Sequence, residues 1–175
     1  YKMSDVEINF VKVEILKENG ERKYDRDLWI EPSAGNGSFT SHLGDRNLVA
    51  YDIEPEGPNI QKQDFLKLNL PMCFNIPLHF IGNPPFGRQS CIAIQFIKRI
   101  TACEKTKSLA FILPKSFKKD SMKRYFPLNY HLEHEEDVDK DGFIMEDTKI
   151  DVPCVFQIWV KKDHEREKPI KLEPK

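Results

Sequence analysis

Phe80-Ile81-Gly82-Asn83-Pro84-Pro85-Phe86-Gly87 is the stretch whose reading decides the fold. It closes an apolar run, Ile76 to Ile81, that reads as a buried strand. Pro84 has no N–H to give a ladder, and its ring biases Asn83 away from helical angles. The strand therefore ends here, in a stiff extended corner. Two successive prolines fix the backbone, so the Asn83 side chain and the Pro84 carbonyl can be aimed together, with the Phe86 ring beside them. Two acceptors and a flat apolar face in one rigid corner can hold a planar group that carries an amino nitrogen.

Upstream, Leu28-Trp29-Ile30 runs into Glu31-Pro32-Ser33-Ala34-Gly35-Asn36-Gly37-Ser38-Phe39. A short apolar strand, a glycine-bearing loop and the start of a helix form the first crossover of a doubly wound sheet. Gly35 and Gly37 let the backbone approach a ligand, and the helix N-terminus favours an anion. A dinucleotide fingerprint needs a third glycine where this chain has Thr40, which weakens a nicotinamide or flavin reading. Gly44 is placed to cap the short helix. Leu48 to Ile53 reads as the second strand, and its Asp52 lies about 20 positions beyond Glu31, the offset at which an acidic residue takes ribose hydroxyls.

Asn83-Pro84-Pro85-Phe86 resembles the catalytic motif of the S-adenosylmethionine-dependent amino-methyltransferases, chiefly those that methylate N6 of adenine. Glu31 to Gly37 is similar to their cofactor loop. The resemblance runs from Leu28 to Val160 and rests on four ordered matches: Glu31 to Phe39, Asp52, Asp64-Phe65, and Asn83 to Phe86. It implies a Rossmann-like α/β fold with a seven-stranded sheet, mostly parallel, its last strand antiparallel. It implies S-adenosyl-L-methionine as cofactor, held by Glu31, Pro32, Ser33, Gly35, Gly37, Phe39, Asp52, Ile53, Asp64, Phe65 and Asn83. Ile53 would pack on the cofactor adenine, Asp64 would accept from its amino group, and Phe65 would cover a face. The catalytic residues it implies are Asn83, Pro84, Pro85 and Phe86, the aromatic stacking on the extruded base.

The composition neither announces nor forbids this. The chain has 175 residues, 39% hydrophobic and 31% charged, with a net charge of −1. That is enough for one domain with a real core. Any attraction to nucleic acid must be local, since no global basic field exists. No apolar run reaches a membrane span, so no membrane is expected. Cys73, Cys91, Cys103 and Cys154 are scattered, which argues against zinc and fits a reduced intracellular compartment, cytoplasmic, nucleoid or nuclear.

Beyond the proline corner, Ser90 is placed as an N-cap, and Ile92, Phe96, Ile100 and Cys103 repeat at helical spacing as a core stripe. Leu109 to Leu113 is the next buried strand, stopped by Pro114. Lys115, Lys118, Lys119, Lys123 and Arg124 follow it and are expected to contact nucleic-acid phosphates, DNA or RNA, unless they are only a solvated helix face. Tyr130 to Glu135 reads as a strand. Asp137 to Gly142 invites a calcium reading, but Thr148 stands where a bidentate Glu is needed, so the stretch reads as an acidic hairpin loop and no metal is expected. Val152 to Val160 is the last strand.

The domain layout is then a lead segment over 1–27, a single methyltransferase domain over 28–160, and a charged, solvated tail over 161–175. Adenine in DNA is the leading substrate, with RNA adenosine next and a protein glutamine amide third. A non-catalytic nucleic-acid-binding subunit is the alternative of a different class. A chain of this length leaves target specificity to short loops, to residues outside it, or to a partner subunit, or leaves it weak.

Overall fold

A computed structural model describes residues 27–43, 47–70, 76–138 and 152–168. The readings made for 1–26, for the Gly44 cap, for the acidic stretch 139–142 with Thr148, and for the tail over 169–175 lie outside these residues. Seven strands form one sheet: β1 (Leu28–Glu31), β2 (Leu48–Asp52), β3 (Ile60–Lys62), β4 (Leu78–Gly82), β5 (Thr106–Pro114), β6 (Tyr130–Val138) and β7 (Cys154–Lys161). Their order is β3-β2-β1-β4-β5-β7-β6. Strands β1 to β5 pair parallel, and β7 runs antiparallel between β5 and β6. The expected mixed sheet is therefore present.

The order fixes where a ligand can sit. From β1 the chain moves outward to β2 and β3, then returns to β4 on the other side of β1. The direction of winding reverses between β1 and β4, and a crevice opens at the carboxyl ends of such a pair. Glu31 and Gly82 are the last residues of these two strands.

Alternation on the central strands divides the core in two, as the period of a pleated strand requires. Ile30, Phe80, Leu109, Phe111 and Trp159 lie in one cluster with Ala93, Phe96, Ile97 and Ile100 of helix α1 (Cys91–Thr101). Trp29, Ile81, Ala110, Ile112, Phe156 and Ile158 lie in the other, with Phe39 and Leu43. The apolar stripe of α1 is thus core. Among the described residues the other α-helix is α2 (Asp120–Lys123), and none is long and apolar enough to cross a membrane.

Three local readings are corrected. Ser90 does not cap α1 with its side chain: it sits at φ 62° and makes no capping bond. The Phe86 carbonyl takes the Ile92 and Ala93 N–H groups instead, at 3.1 and 3.4 Å, so the proline corner itself starts the helix. After the glycine loop there is one 3-10 turn, Thr40–His42, in place of a helix start. Thr40 Oγ1 donates to the Gly37 carbonyl and Ser41 Oγ to that of Ser38, and such local bonds compete with helical ones. Asp137 and Val138, read as loop, belong to β6.

The described part of the tail, residues 161–168, is mostly exposed as expected, but it is anchored. Beyond β7 the chain folds back along residues 128–130, with the Lys162 and Arg166 N–H groups donating to the Asn129 and Leu128 carbonyls. The Arg166 guanidinium donates to the carbonyls of Tyr130, Lys123 and Phe126 and lies 5.5 Å from the centre of a Trp159 ring. Sequence composition marks such a segment as solvated. One arginine that finds three carbonyls and an aromatic face makes it part of the fold.

Candidate active site

The site is built from the loops that leave β1, β2 and β4. The tip of β4 and the loop after β1 touch: Ser33 Oγ donates to the Asn83 carbonyl at 3.2 Å. A Cβ added to Gly82, which lies at φ 151°, would stand 3.5 Å from Glu31 Cγ and 3.8 Å from Pro32 Cδ. The glycine loop is tied to β2 in turn. Asp52 Oδ2 accepts the Gly35 N–H at 2.7 Å, and Oδ1 accepts that of Glu54 at 2.8 Å. Each carboxylate oxygen retains a lone pair for a further donor. Gly35, at φ 52°, has open space where a side chain would begin, so its backbone faces a gap that a ligand can enter.

Two atoms at this edge are unusual. Asn83 Oδ1 and Glu31 Oε2 are both buried without a hydrogen-bond partner. Native folds seldom leave such acceptors unpaired, because each gives up its water for nothing. Burial pushes the Glu31 carboxyl up to about 8; a hydrogen bond from the Thr40 backbone opposes this, and the nearby Asp52 charge adds to it. Burial thus favours the protonated acid, and a bound cation would favour the carboxylate.

The remaining expected residues divide. Ile53 is 63% exposed beside Asp52, a free apolar face at the end of β2. Asp64 caps the 3-10 turn Phe65–Lys67 by accepting the Leu66 N–H and also pairs with Lys67. Phe39 and Phe65 are core residues, 3% and 2% exposed. The Phe65 ring stacks on Phe96 at 5.3 Å and meets Phe80 edge-on at 5.9 Å, so its faces serve the core and not a bound purine. Pro84 is buried and Pro85 exposed. Phe86 is half-buried, packed against both core clusters. Gly57 was missed by sequence reading: a Cβ there would fall 2.6 Å from the Asn36 carbonyl oxygen, so it lets the β2–β3 loop close on the glycine loop.

The basic segment is less free than its composition implies. Lys115 and Lys118 both bind Asp137, at 2.6 and 2.8 Å, and Lys123 lies 3.7 Å from Asp120. Arg124 lies over Tyr125 and donates to its hydroxyl. A groove of 460 Å³ between residues 66–70 and α1 stands apart from all this; none of Glu31, Ser33, Asp52 or Asn83 lines it.

A second buried polar cluster lies at the other ends of the strands. His79, 1% exposed, pairs through Nδ1 with Ser108 Oγ at 2.7 Å and through Nε2 with Asp27 Oδ2 at 2.9 Å, and stacks on Trp29. Ser, His and Asp in this order match a nucleophile relay in type. Ser108 is 2% exposed and sealed from any substrate.

No protein-family model matches this chain, and no curated protein matches it. Solved structures do. The chain is similar to the 23S rRNA methyltransferase ErmE, at 17% identity and a TM-score of 0.66, covering 94% of this chain and 71% of that one. It is similar to a modification subunit of a putative type I restriction enzyme from Vibrio vulnificus, at 14% and 0.61, covering 92% and 44%. It is also similar to the Mtq2–Trm112 complex of E. cuniculi, at 13% and 0.55, covering 93% and 98%. The chain thus shares its fold with solved methyltransferase structures. With that fold, the edge carrying Glu31, Asp52 and Asn83 is the one where its ligands are to be sought.

Proposed function

We propose that this chain transfers a methyl group from S-adenosylmethionine to the N6 amino group of adenine in nucleic acid, with DNA the first substrate to test and RNA the second. One observation carries the reading: a buried, unpartnered Asn83 Oδ1 at the tip of β4, bonded through its own carbonyl to the glycine loop.

The residues fit the cofactor. An unpaired buried acceptor on Glu31 suits the ammonium of its methionine part, the open backbone at Gly35 admits close approach, Asp52 can accept from ribose hydroxyls, and Ile53 offers a face for its adenine. Asp64 is the candidate acceptor for the adenine amino group. When bound, the cofactor supplies an electrophilic methyl on a sulfonium.

The rest is positioning. The N6 lone pair is delocalised into the ring and is a poor nucleophile. Asn83 Oδ1 and the Pro84 carbonyl accept its two N–H groups, favour a pyramidal nitrogen, and aim the lone pair along the line of attack. The same two dipoles stabilise the positive charge that develops there; the surplus N6 proton passes to water, and the sulfonium would be left as a neutral thioether, so fixed dipoles and alignment supply the catalysis without a strong general base. Phe86 stacks on the base once it has left its own stack.

Likeness to an rRNA methyltransferase and to a restriction-modification subunit supports a nucleic-acid substrate. Likeness to the Mtq2–Trm112 complex, described as responsible for methylation of the eRF1 translation termination factor, supports a partner subunit and makes a protein substrate the outcome to exclude. The test is transfer of labelled methyl to matched duplex DNA, single-stranded DNA and RNA, followed by nucleoside mass spectrometry. N6-methyldeoxyadenosine is expected. N6-methyladenosine alone would move the substrate to RNA, and label on protein alone would overturn the nucleic-acid reading.

A further inference from the structure

Lys115 and Lys118, from the two ends of one 3-10 turn, converge with Asp137 of β6. Lys115 follows the last residue of β5, and its N–H is fixed by the Pro153 carbonyl at 2.8 Å. Lys118 ends a 3-10 turn anchored by Phe117, which is fully buried. Asp137 lies on β6, opposite Val155 of β7. The two ammonium groups reach different oxygens of one carboxylate, at 2.6 and 2.8 Å. All three side chains are between 38% and 47% exposed, open to a polymer.

We propose that Lys115 and Lys118 form a seat for a nucleic-acid phosphate, and that Asp137 occupies this seat in the free protein and sets how tightly the strand is held. The inference rests on the nucleic-acid reading above and adds a residue that opposes binding. A phosphodiester carries one negative charge and two free oxygens, as a carboxylate does, so it can take the place of Asp137 without moving either lysine. Exposed ion pairs contribute little to stability, so the exchange costs little. The two lysines hold the Asp137 carboxyl below its ordinary range, which keeps the occupant charged.

The location suits the purpose. Phe111 of β5 lies level with Gly82 of β4, and β5 continues to Pro114. Three residues of strand add roughly 10 Å, so the seat lies beyond the proline corner on the neighbouring strand.

The test uses fluorescence anisotropy of a labelled single-stranded oligonucleotide carrying one adenine, as DNA and as RNA, over a range of salt. Asp137→Asn is expected to bind about threefold to tenfold more tightly at low salt, with the slope of log K against log salt steeper by about 0.7 per phosphate gained. Asp137→Glu is expected to behave as the unaltered protein, and adding Lys118→Ala to Asp137→Asn to cancel the gain. Equal or weaker binding by Asp137→Asn overturns the seat while leaving the nucleic-acid reading intact. If neither protein binds either oligonucleotide, both readings fall. A gain for inorganic phosphate with none for the oligonucleotides also overturns the proposal.

Discussion

The same central strands carry a buried polar cluster at each end, and the two clusters differ in one respect. At the amino ends, the His79 ring has a partner on each nitrogen and a stacked Trp29 beneath it. At the carboxyl ends, Glu31 and Asn83 each keep a buried oxygen with none. By residue type the first cluster looks the more chemical, since it holds the members of a nucleophile relay. By satisfaction it is structural: its bonds are made, and nothing is left to offer a substrate. A buried acceptor still waiting for a donor marks a ligand site better than a familiar set of residue names.

Stability against pH gives the largest effect by which the contrast can be broken. The Glu31 carboxyl sits at about 8 in the folded chain against 4.5 as its ordinary value. Between those limits the folded state holds a proton that the unfolded state has lost, so the Glu31 contribution to stability is fully present below pH 4.5 and is lost as pH rises toward 8. The fall is up to about 5 kcal/mol. Denaturant midpoints of the cofactor-free protein at pH 5 and pH 8.5 check this, and Glu31→Gln should flatten the profile. A flat profile in the unaltered protein would put Glu31 with the satisfied cluster.

Next comes Asn83→Ala, expected to lower kcat by roughly two to three orders of magnitude with the fold intact. His79→Ala should do the reverse, costing about 2–4 kcal/mol of stability as Asp27 and Ser108 lose their partner, while kcat of the folded fraction holds. Melting curves and single-turnover rates on both variants sharpen the comparison; matching losses of rate would erase it. The smallest effect is that of Phe86→Ala, about 1–3 kcal/mol of base stacking, read as a raised KM for nucleic acid with cofactor affinity retained. Unchanged substrate affinity would remove Phe86 from the base pocket.

The sheet was legible because its strands are continuous apolar runs closed by glycine or proline, as at Ile76–Gly82 and Leu109–Pro114. The proline corner and the glycine loop were legible because backbone geometry there is written in the residue types. What depended on distant partners was not. Nothing near Glu31 in sequence announces that β1 buries its last side chain. Asp64-Phe65 reads the same whether the ring faces a ligand or Phe96. Lys115 and Lys118 look like free cations until β6 brings Asp137 to them, and Arg166 looks solvated until Lys123, Phe126 and Tyr130 present their carbonyls. Ser90 could not be read as uncapped, because the carbonyl that replaces it belongs to the corner itself.

Among the described residues β6 pairs with β7 alone, while β7 is synthesised after both of its neighbours and must slide between β6 and β5. On the ribosome, β6 therefore emerges before the neighbour that will hold it. At ordinary elongation rates the wait lasts roughly 1–5 s. Throughout it the apolar row Leu109 to Leu113 stands open along one side, a template for any passing strand. Yield in a cell should accordingly depend on chaperone supply and growth temperature more steeply than the stability of the finished molecule implies.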